Sequence, residues 1–584
     1  MFALLDHGLF QTRSEPPQVL DAVLAHIIII LSPFILGYGV KLSKHFLGGN
    51  KRGFSFPKFD WPPLRVPVLG DALSLLFDTE AFLCRLQKQC KTGIVHLSLP
   101  GKRFGIAMPG EGVRNLFRTS KDYVPVPGLF DALTVFFGLT PADHAVFNHD
   151  HISAFELRHT EGHKTSHQDA SRRIIEHQRR DFSTYLNGES LRRIMNRFNL
   201  NFGKQLERRI AKDTGTSHLS DLYKFVRDAI FEAEVEALYG ERLLSLCPTF
   251  SDDFWAFYDA FPTVSRKLPR CLFRSQYEKR DKMLANFQLW RSRCHAEFDW
   301  SDDELVNSDY EPVWGSRYVR RMVQRHEKMG FSDAGVASNM LGYLFVTTAN
   351  SVPAAAWMVL HTVLDKDLRD RLRHELSIEN PDTPVDLTAC SSAPLLNSVY
   401  RETLRLHVAS ATGRASVSSG FGSHQTETVA MTANWLGGLD STFWNEGPVA
   451  DGVPQHPVGT FWAERFLVYP DDPSSGPTRP KSSIVHEVTQ NDKKSVQDDS
   501  KAKLANSGLR GHWFPFGGGA WRCPGETLAK NSILASVFML LRDYDIELVN
   551  PENVVGVTAS HRHRILPFGT HAFDRAVPVS VTKR

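Results

Sequence analysis

The sequence predicts a mainly α-helical protein with small β-sheets, carried behind an N-terminal membrane anchor. Three observations predict it. A long apolar run lies within residues 19–40; helical periodicity dominates residues 190–331 and continues through the apolar stretch 334–363; and only short apolar alternations, at 93–99 and 104–108, read as strands. At 584 residues the chain would by length alone be given roughly two to four domains. No long Gly/Ser/Pro linker divides it. The organisation read here is an N-terminal segment with the anchor at 1–45, a basic and proline-rich hinge at 46–70, and one large domain at 71–584.

The apolar run holds Leu24-Ala25-His26-Ile27-Ile28-Ile29-Ile30-Leu31-Ser32-Pro33-Phe34-Ile35-Leu36, about as long as a bilayer crossing needs. A cleaved signal peptide is the rival reading, but that wants a basic leader, whereas here Lys41, Lys44, Lys51 and Arg52 follow the run. By the positive-inside rule they put a single-pass protein's body on the cytoplasmic side. Trp61-Pro62-Pro63-Leu64-Arg65-Val66-Pro67 is too rich in proline to be helical and should be stiff. The formal charge of +3 is near balance, so nothing points to nucleic acid.

His159, His163 and His167 follow one another at i, i+4 spacing. A helix would hold the outer two about 12 Å apart, too far to share one metal, and no H-E-x-x-H pattern accompanies them. A solvated segment is the reading. Residues 186–206 form a helix whose Arg192 and Arg193 read as part of a solvated face. Residues 468–508, rich in Asp, Ser, Lys and Pro, bury too little to offset the entropy of ordering and read as a mobile surface loop.

Three patterns carry chemistry. Glu402-Thr403-Leu404-Arg405 lies on the amphipathic stretch 395–406, where a Glu and an Arg three apart share a helix face and alone amount to a routine ion pair. Val346-Thr347-Thr348-Ala349-Asn350-Ser351-Val352-Pro353 sits inside the apolar stretch 334–363, and Pro353 removes a helical hydrogen bond, freeing carbonyls near Ala349. Phe516-Gly517-Gly518-Gly519-Ala520-Trp521-Arg522-Cys523-Pro524-Gly525 runs into an apolar helix from Glu526. Its glycines let the backbone approach a flat ligand, and a thiolate there is favoured by the helix's positive end. Cys84, Cys90, Cys247, Cys271, Cys294 and Cys390 form no C-x-x-C pair and read as thiols in a reducing compartment.

The decapeptide resembles the haem-binding signature of the cytochrome P-450 family, F-x-x-G-x-x-x-C-x-G, with Phe516, Gly519, Cys523 and Gly525 at its fixed positions. The resemblance implies the P-450 fold, haem b with Cys523 as axial thiolate, and electrons from NADPH through a partner cytochrome reductase. It further implies dioxygen and an apolar small molecule as reactants, and attachment to the lipid of the endoplasmic reticulum membrane. An axial thiolate favours O–O cleavage, the chemistry that inserts oxygen into a C–H bond. Phe461-Trp462-Ala463-Glu464-Arg465-Phe466 resembles the later part of the family's Glu-Arg-Arg triad, which makes Glu402, Arg405 and Arg465 a structural network. Arg414 stands where many members hold a haem propionate; Trp521 takes the place of a second propionate ligand, with Arg522 as a stand-in. The stretch 186–206 is the counterpart of the helix over the haem edge, without its usual tryptophan–arginine pair, and 61–70 resembles the family's hinge.

Where most members carry an acid and a threonine on the oxygen-side helix, this chain has Ala349 and Asn350 after Thr348. The run from Ala349 to Trp357 is similar to the subgroup of the sterol 7α- and 12α-hydroxylases and prostacyclin synthase. One branch of that subgroup activates dioxygen and another isomerises a peroxide, so a steroid- or terpenoid-oxidising monooxygenase of secondary metabolism stands beside an isomerase or dehydratase. A non-catalytic haem-binding protein is the reading from outside enzymes.

Overall fold

The computed structural model describes residues 79–584 except 91–92, 100–101, 120–122, 125–131, 149–173, 211–215, 381–382, 417–427, 481–497, 555–556 and 558–568. The anchor, the hinge and His159, His163 and His167 lie outside the described residues. The fold is mainly helical, and its sheets are small.

Leu222–Tyr239 is a central helix. Most of its residues are buried, and it packs against Gly188–Arg209 on one side and Ser351–Leu364 on another. The helix Glu526–Asp543 lies against both of those partners, so the segment that follows Cys523 is built into the core. A five-stranded sheet takes the order Ile94–Leu99, Lys102–Ala107, Thr428–Ala433, Ala411–Ser416, Tyr123–Val124. Its second and third strands are parallel, and the other pairs antiparallel. Residues 93–99 and 104–108 thus contribute its first hairpin.

The apolar stretch 334–363, read as one long helix, is two: Asp333–Thr348 and Ser351–Leu364, broken at Ala349 and Asn350. The cause is local. Pro353 has no N–H to give the Ala349 carbonyl, and the ladder resumes only with Ala354 N–H donating to Asn350 O at 3.2 Å. Together these helices are apolar and long enough to cross a membrane, but their most apolar 18-residue stretch is 83% buried within the protein.

The expectation of a mobile loop over 468–508 is corrected at both ends. Leu467 and Val468 pair in register with Leu504 and Lys503. Asp499 accepts two hydrogen bonds from the Arg371 guanidinium, at 2.7 and 2.9 Å, and one from the Tyr469 hydroxyl at 3.0 Å. These contacts supply what the segment's low hydrophobicity does not.

One buried carboxyl has an energetic consequence. Glu234, 5% exposed on the central helix, has one oxygen with no hydrogen-bond partner. Burial raises its pKa from 4.5 to about 8, against a smaller lowering by a hydrogen bond from Ser532. The folded protein therefore holds a proton that the unfolded chain releases above pH 4.5, so stability falls as pH rises from about 4.5 to about 8. Glu234→Gln should flatten that slope and stabilise the protein by about 3 kcal/mol at pH 7. Urea midpoints of both forms at pH 5 and pH 8 check this, with the difference larger at pH 8.

Candidate functional site

The cysteine loop is shaped by its glycines and fixed by its neighbours. Gly517 and Gly519 take φ of +68° and +69°, conformations that a β-carbon disfavours. Gly518 lies so close to the Phe117 ring that a β-carbon would approach it to 2.3 Å. Cys523 N–H closes the loop by donating to Phe516 O at 2.9 Å, and Gly525 caps the helix Glu526–Asp543. The Cys523 residue is exposed to solvent at the floor of this loop, while the surrounding protein pushes the thiol's pKa up. A coordinated metal ion reverses that effect, because a ligating thiol is deprotonated.

A charge network lies behind the loop. The Arg405 guanidinium donates to both oxygens of Glu402, at 2.6 and 2.7 Å, and Arg465 Nε donates to Glu402 Oε1 at 2.9 Å. All three side chains are 0% exposed. Burial alone would raise the Glu402 pKa, but the two guanidiniums outweigh it and hold the carboxyl below its ordinary range. The arginines' remaining donors reach main-chain carbonyls: Arg405 to Gly438 and Val458, Arg465 to Asn445 and His456. Residues 437–445 in turn touch the segment that leads into the cysteine loop. Phe443 stacks on His512 at 3.6 Å, and the Trp513 indole donates to Arg401 O beside Glu402.

Arg414 lies on the strand Ala411–Ser416, next to Thr412, whose hydroxyl approaches Gly517. It is 6% exposed, yet the only acceptor of its guanidinium among the described residues is the carbonyl of Gly413 at 3.0 Å. Burial without an anion lowers its pKa to about 10. A buried cation with no carboxylate partner among the described residues, on a strand that reaches the loop of an open thiol, fits a flat metal-bearing ligand with carboxylate arms. Haem is such a ligand.

The expected second carboxylate partner is placed differently. Arg522 is an exposed residue paired with Glu526 at 2.5 and 2.6 Å. Arg192 and Arg193 pair with Glu189 on a solvated face. The chain breaks at Asn187–Gly188, and the preceding helix, Ile174–Tyr185, brings Arg179 over the Trp521 ring at 4.7 Å and within 3.3 Å of Ala520 O. Sequence reasoning missed Arg179. The signal was the pair Arg179-Arg180 on a short helix just before an Asn-Gly break.

At the broken helix, Val346 is 58% exposed and Asn350, one turn on, is also exposed, so the two share an open face. Thr348 and Ala349 point the other way and are buried. The Thr348 hydroxyl is already committed to Leu344 O at 2.7 Å. Beside Val346, the Phe345 ring stacks on Phe261 at 4.4 Å and meets Phe137 and Phe257, an aromatic wall.

Residues 106–417 match the family model for cytochrome P450. That span holds Asn350, Glu402, Arg405 and Arg414 and ends before Arg465 and Cys523. The chain is similar to cytochrome P450 monooxygenase fsoE of Humicola fuscoatra, 34% identical over 64% of this chain and 64% of that protein. It is similar to cytochrome P450 monooxygenase efuG of Hormonema carpetanum, 28% identical over 92% and 91%. Prostacyclin synthase of Bos taurus is 27% identical over 41% of this chain and 44% of its own length, in keeping with the subgroup read from residues 349–357.

Proposed function

The chain belongs to the cytochrome P450 family and is a monooxygenase, and on that premise we propose that it oxidises an apolar, steroid- or terpenoid-like small molecule in secondary metabolism. The observation that carries the reading of the site is an open Cys523 thiol together with a buried Arg414 that has no carboxylate partner among the described residues. Cys523 would hold the haem iron, with Phe516, Gly519 and Gly525 shaping its loop. Arg414 and Arg179 would receive the propionates. Bound in this way, haem supplies the oxygen chemistry.

The chain's own residues do the rest. The aromatic wall around Phe345 favours an apolar substrate and excludes water. Asn350 cannot ionise, but its amide can hold a water that carries protons across the open face it shares with Val346. Thr348 and Ala349 serve the helix. Electrons come from NADPH through a reductase, and residues 1–70 anchor and orient the body on the cytoplasmic side of the endoplasmic reticulum membrane.

An isomerase working without dioxygen or reductase is the second reading, which Asn350 in place of the acid and threonine does not separate from the first. Turnover with and without reductase and NADPH separates the two, after a panel of sterols and terpenes is screened for optical changes on addition to the ferric protein. Conversion that needs neither reductase nor oxygen overturns the monooxygenase reading. Asn350→Ala should keep haem and substrate binding but release hydrogen peroxide, with product formation down about 10²-fold or more. Asn350→Thr, whose hydroxyl can also hold a water, should be partly active.

A further inference from the structure

Residues 569–573 run from the break in the helix to Trp357 and are fastened from three sides. Gly569 O accepts from Ala409 N–H at 2.7 Å, and His571 N–H donates to His407 O at 2.9 Å, both at the end of the helix that carries Glu402. Thr570 O accepts from the Tyr258 hydroxyl at 2.8 Å. His571 O accepts from the Trp357 indole at 2.8 Å, and that ring lies flat on His407 at 3.7 Å. With Trp357 1% exposed, this last donor is held by packing as well as bonding.

The near end of this strap meets Asn350. Gly569 takes φ of +57°, and a β-carbon on it would come 2.8 Å from Asn350 Oδ1 and 3.8 Å from Ala349 O. Among the described residues the Asn350 side chain has no hydrogen-bond partner and does not cap its own helix. A terminal amide has a broad torsional preference, so what limits it here is the backbone behind it. We propose that the strap, through Gly569, positions the Asn350 amide. It backs the oxygen, keeps the amide turned to the open face shared with Val346, and makes Gly569 a positioning residue for the proton-carrying water. This rests on the reading of Asn350 given above. Glycine is required twice, for the left-handed backbone and for the room beside the amide.

The test is a pair of strap variants made alone and in the Asn350→Ala background. Gly569→Ala is expected to retain haem and its carbon monoxide spectrum. Using the panel sterol or terpene with the largest optical change, product per NADPH should fall about tenfold, toward the Asn350→Ala level. Electron paramagnetic resonance of the resting ferric protein, which senses water on the open side of haem, should shift in the same direction as in Asn350→Ala. In the double variant Gly569→Ala should add less than about twofold, because the amide it displaces is gone. Should Gly569→Ala not accumulate, Tyr258→Phe removes one fastening of the strap and should give a smaller change of the same kind. Strap variants that leave coupling and resonance unchanged while Asn350→Ala alters both overturn the strap and spare Asn350. Equal losses in both backgrounds also overturn it. An Asn350→Ala protein with normal coupling and resonance overturns both.

Discussion

Replacing Cys523 with Ser is expected to abolish the strongly red-shifted Soret band of the reduced protein under carbon monoxide. That band requires a thiolate on the iron, and Cys523 is the thiol presented by the glycine loop. The other described cysteines do not offer a substitute. Cys247, Cys294 and Cys390 are buried, and burial raises the pKa of each, most strongly for Cys294, held among Glu311 and Glu297. Cys84 lies against an apolar cluster, and Cys90 and Cys271 are exposed outside the loop. Ser is nearly isosteric, so the loop's closure between Cys523 N and Phe516 O should survive and the protein should still fold. A variant that folds, binds haem and keeps the band would refute the assignment of the ligand.

The parts of the site legible in the sequence are those whose geometry is local. Glu402 and Arg405 share a helix face by spacing alone, and their two hydrogen bonds are in place. Pro353 announced freed carbonyls near Ala349, although the full break at Asn350 was not foreseen, because an apolar run of that length reads as a single helix. What could not be read is what depends on distant pairing. Arg179 reaches Ala520 across 341 residues, and the strap meets Trp357 across 214. Glu234 hides differently. Its helix also carries Asp228, Glu232 and Glu236, so Glu234 looks like one more acid of a charged face until the packing of Glu526–Asp543, through Ser532, covers it. The loop 468–508 was misread at its ends for the converse reason: composition reports the core a segment can build, not the charged partners waiting on another helix, here Arg371.

Removing the Glu402 carboxylate should be strongly destabilising. Glu402→Ala leaves Arg405 and Arg465 fully buried with no anion, and breaking a buried pair in this way costs about 3 to 5 kcal/mol. Against a total stability of about 5 to 15 kcal/mol, that loss is enough to keep most of the chain from holding its loop in register. The consequence travels a short path. Arg405 and Arg465 grip the carbonyls of Gly438 and Asn445, and the segment between them carries Phe443, on which His512, just ahead of the cysteine loop, is stacked. Haem-loaded Glu402→Ala protein should therefore hardly accumulate, and its haem-to-protein ratio should fall well below that of wild type. Glu402→Gln, which keeps hydrogen-bonding atoms but not the charge, should be intermediate. Glu189→Ala is the control: it breaks an exposed pair with Arg192 and should leave haem content unchanged, as solvent screening of such pairs requires. Normal haem content in Glu402→Ala, with only slower turnover, would move Glu402 from the scaffold into the chemistry, and the network would need a different explanation.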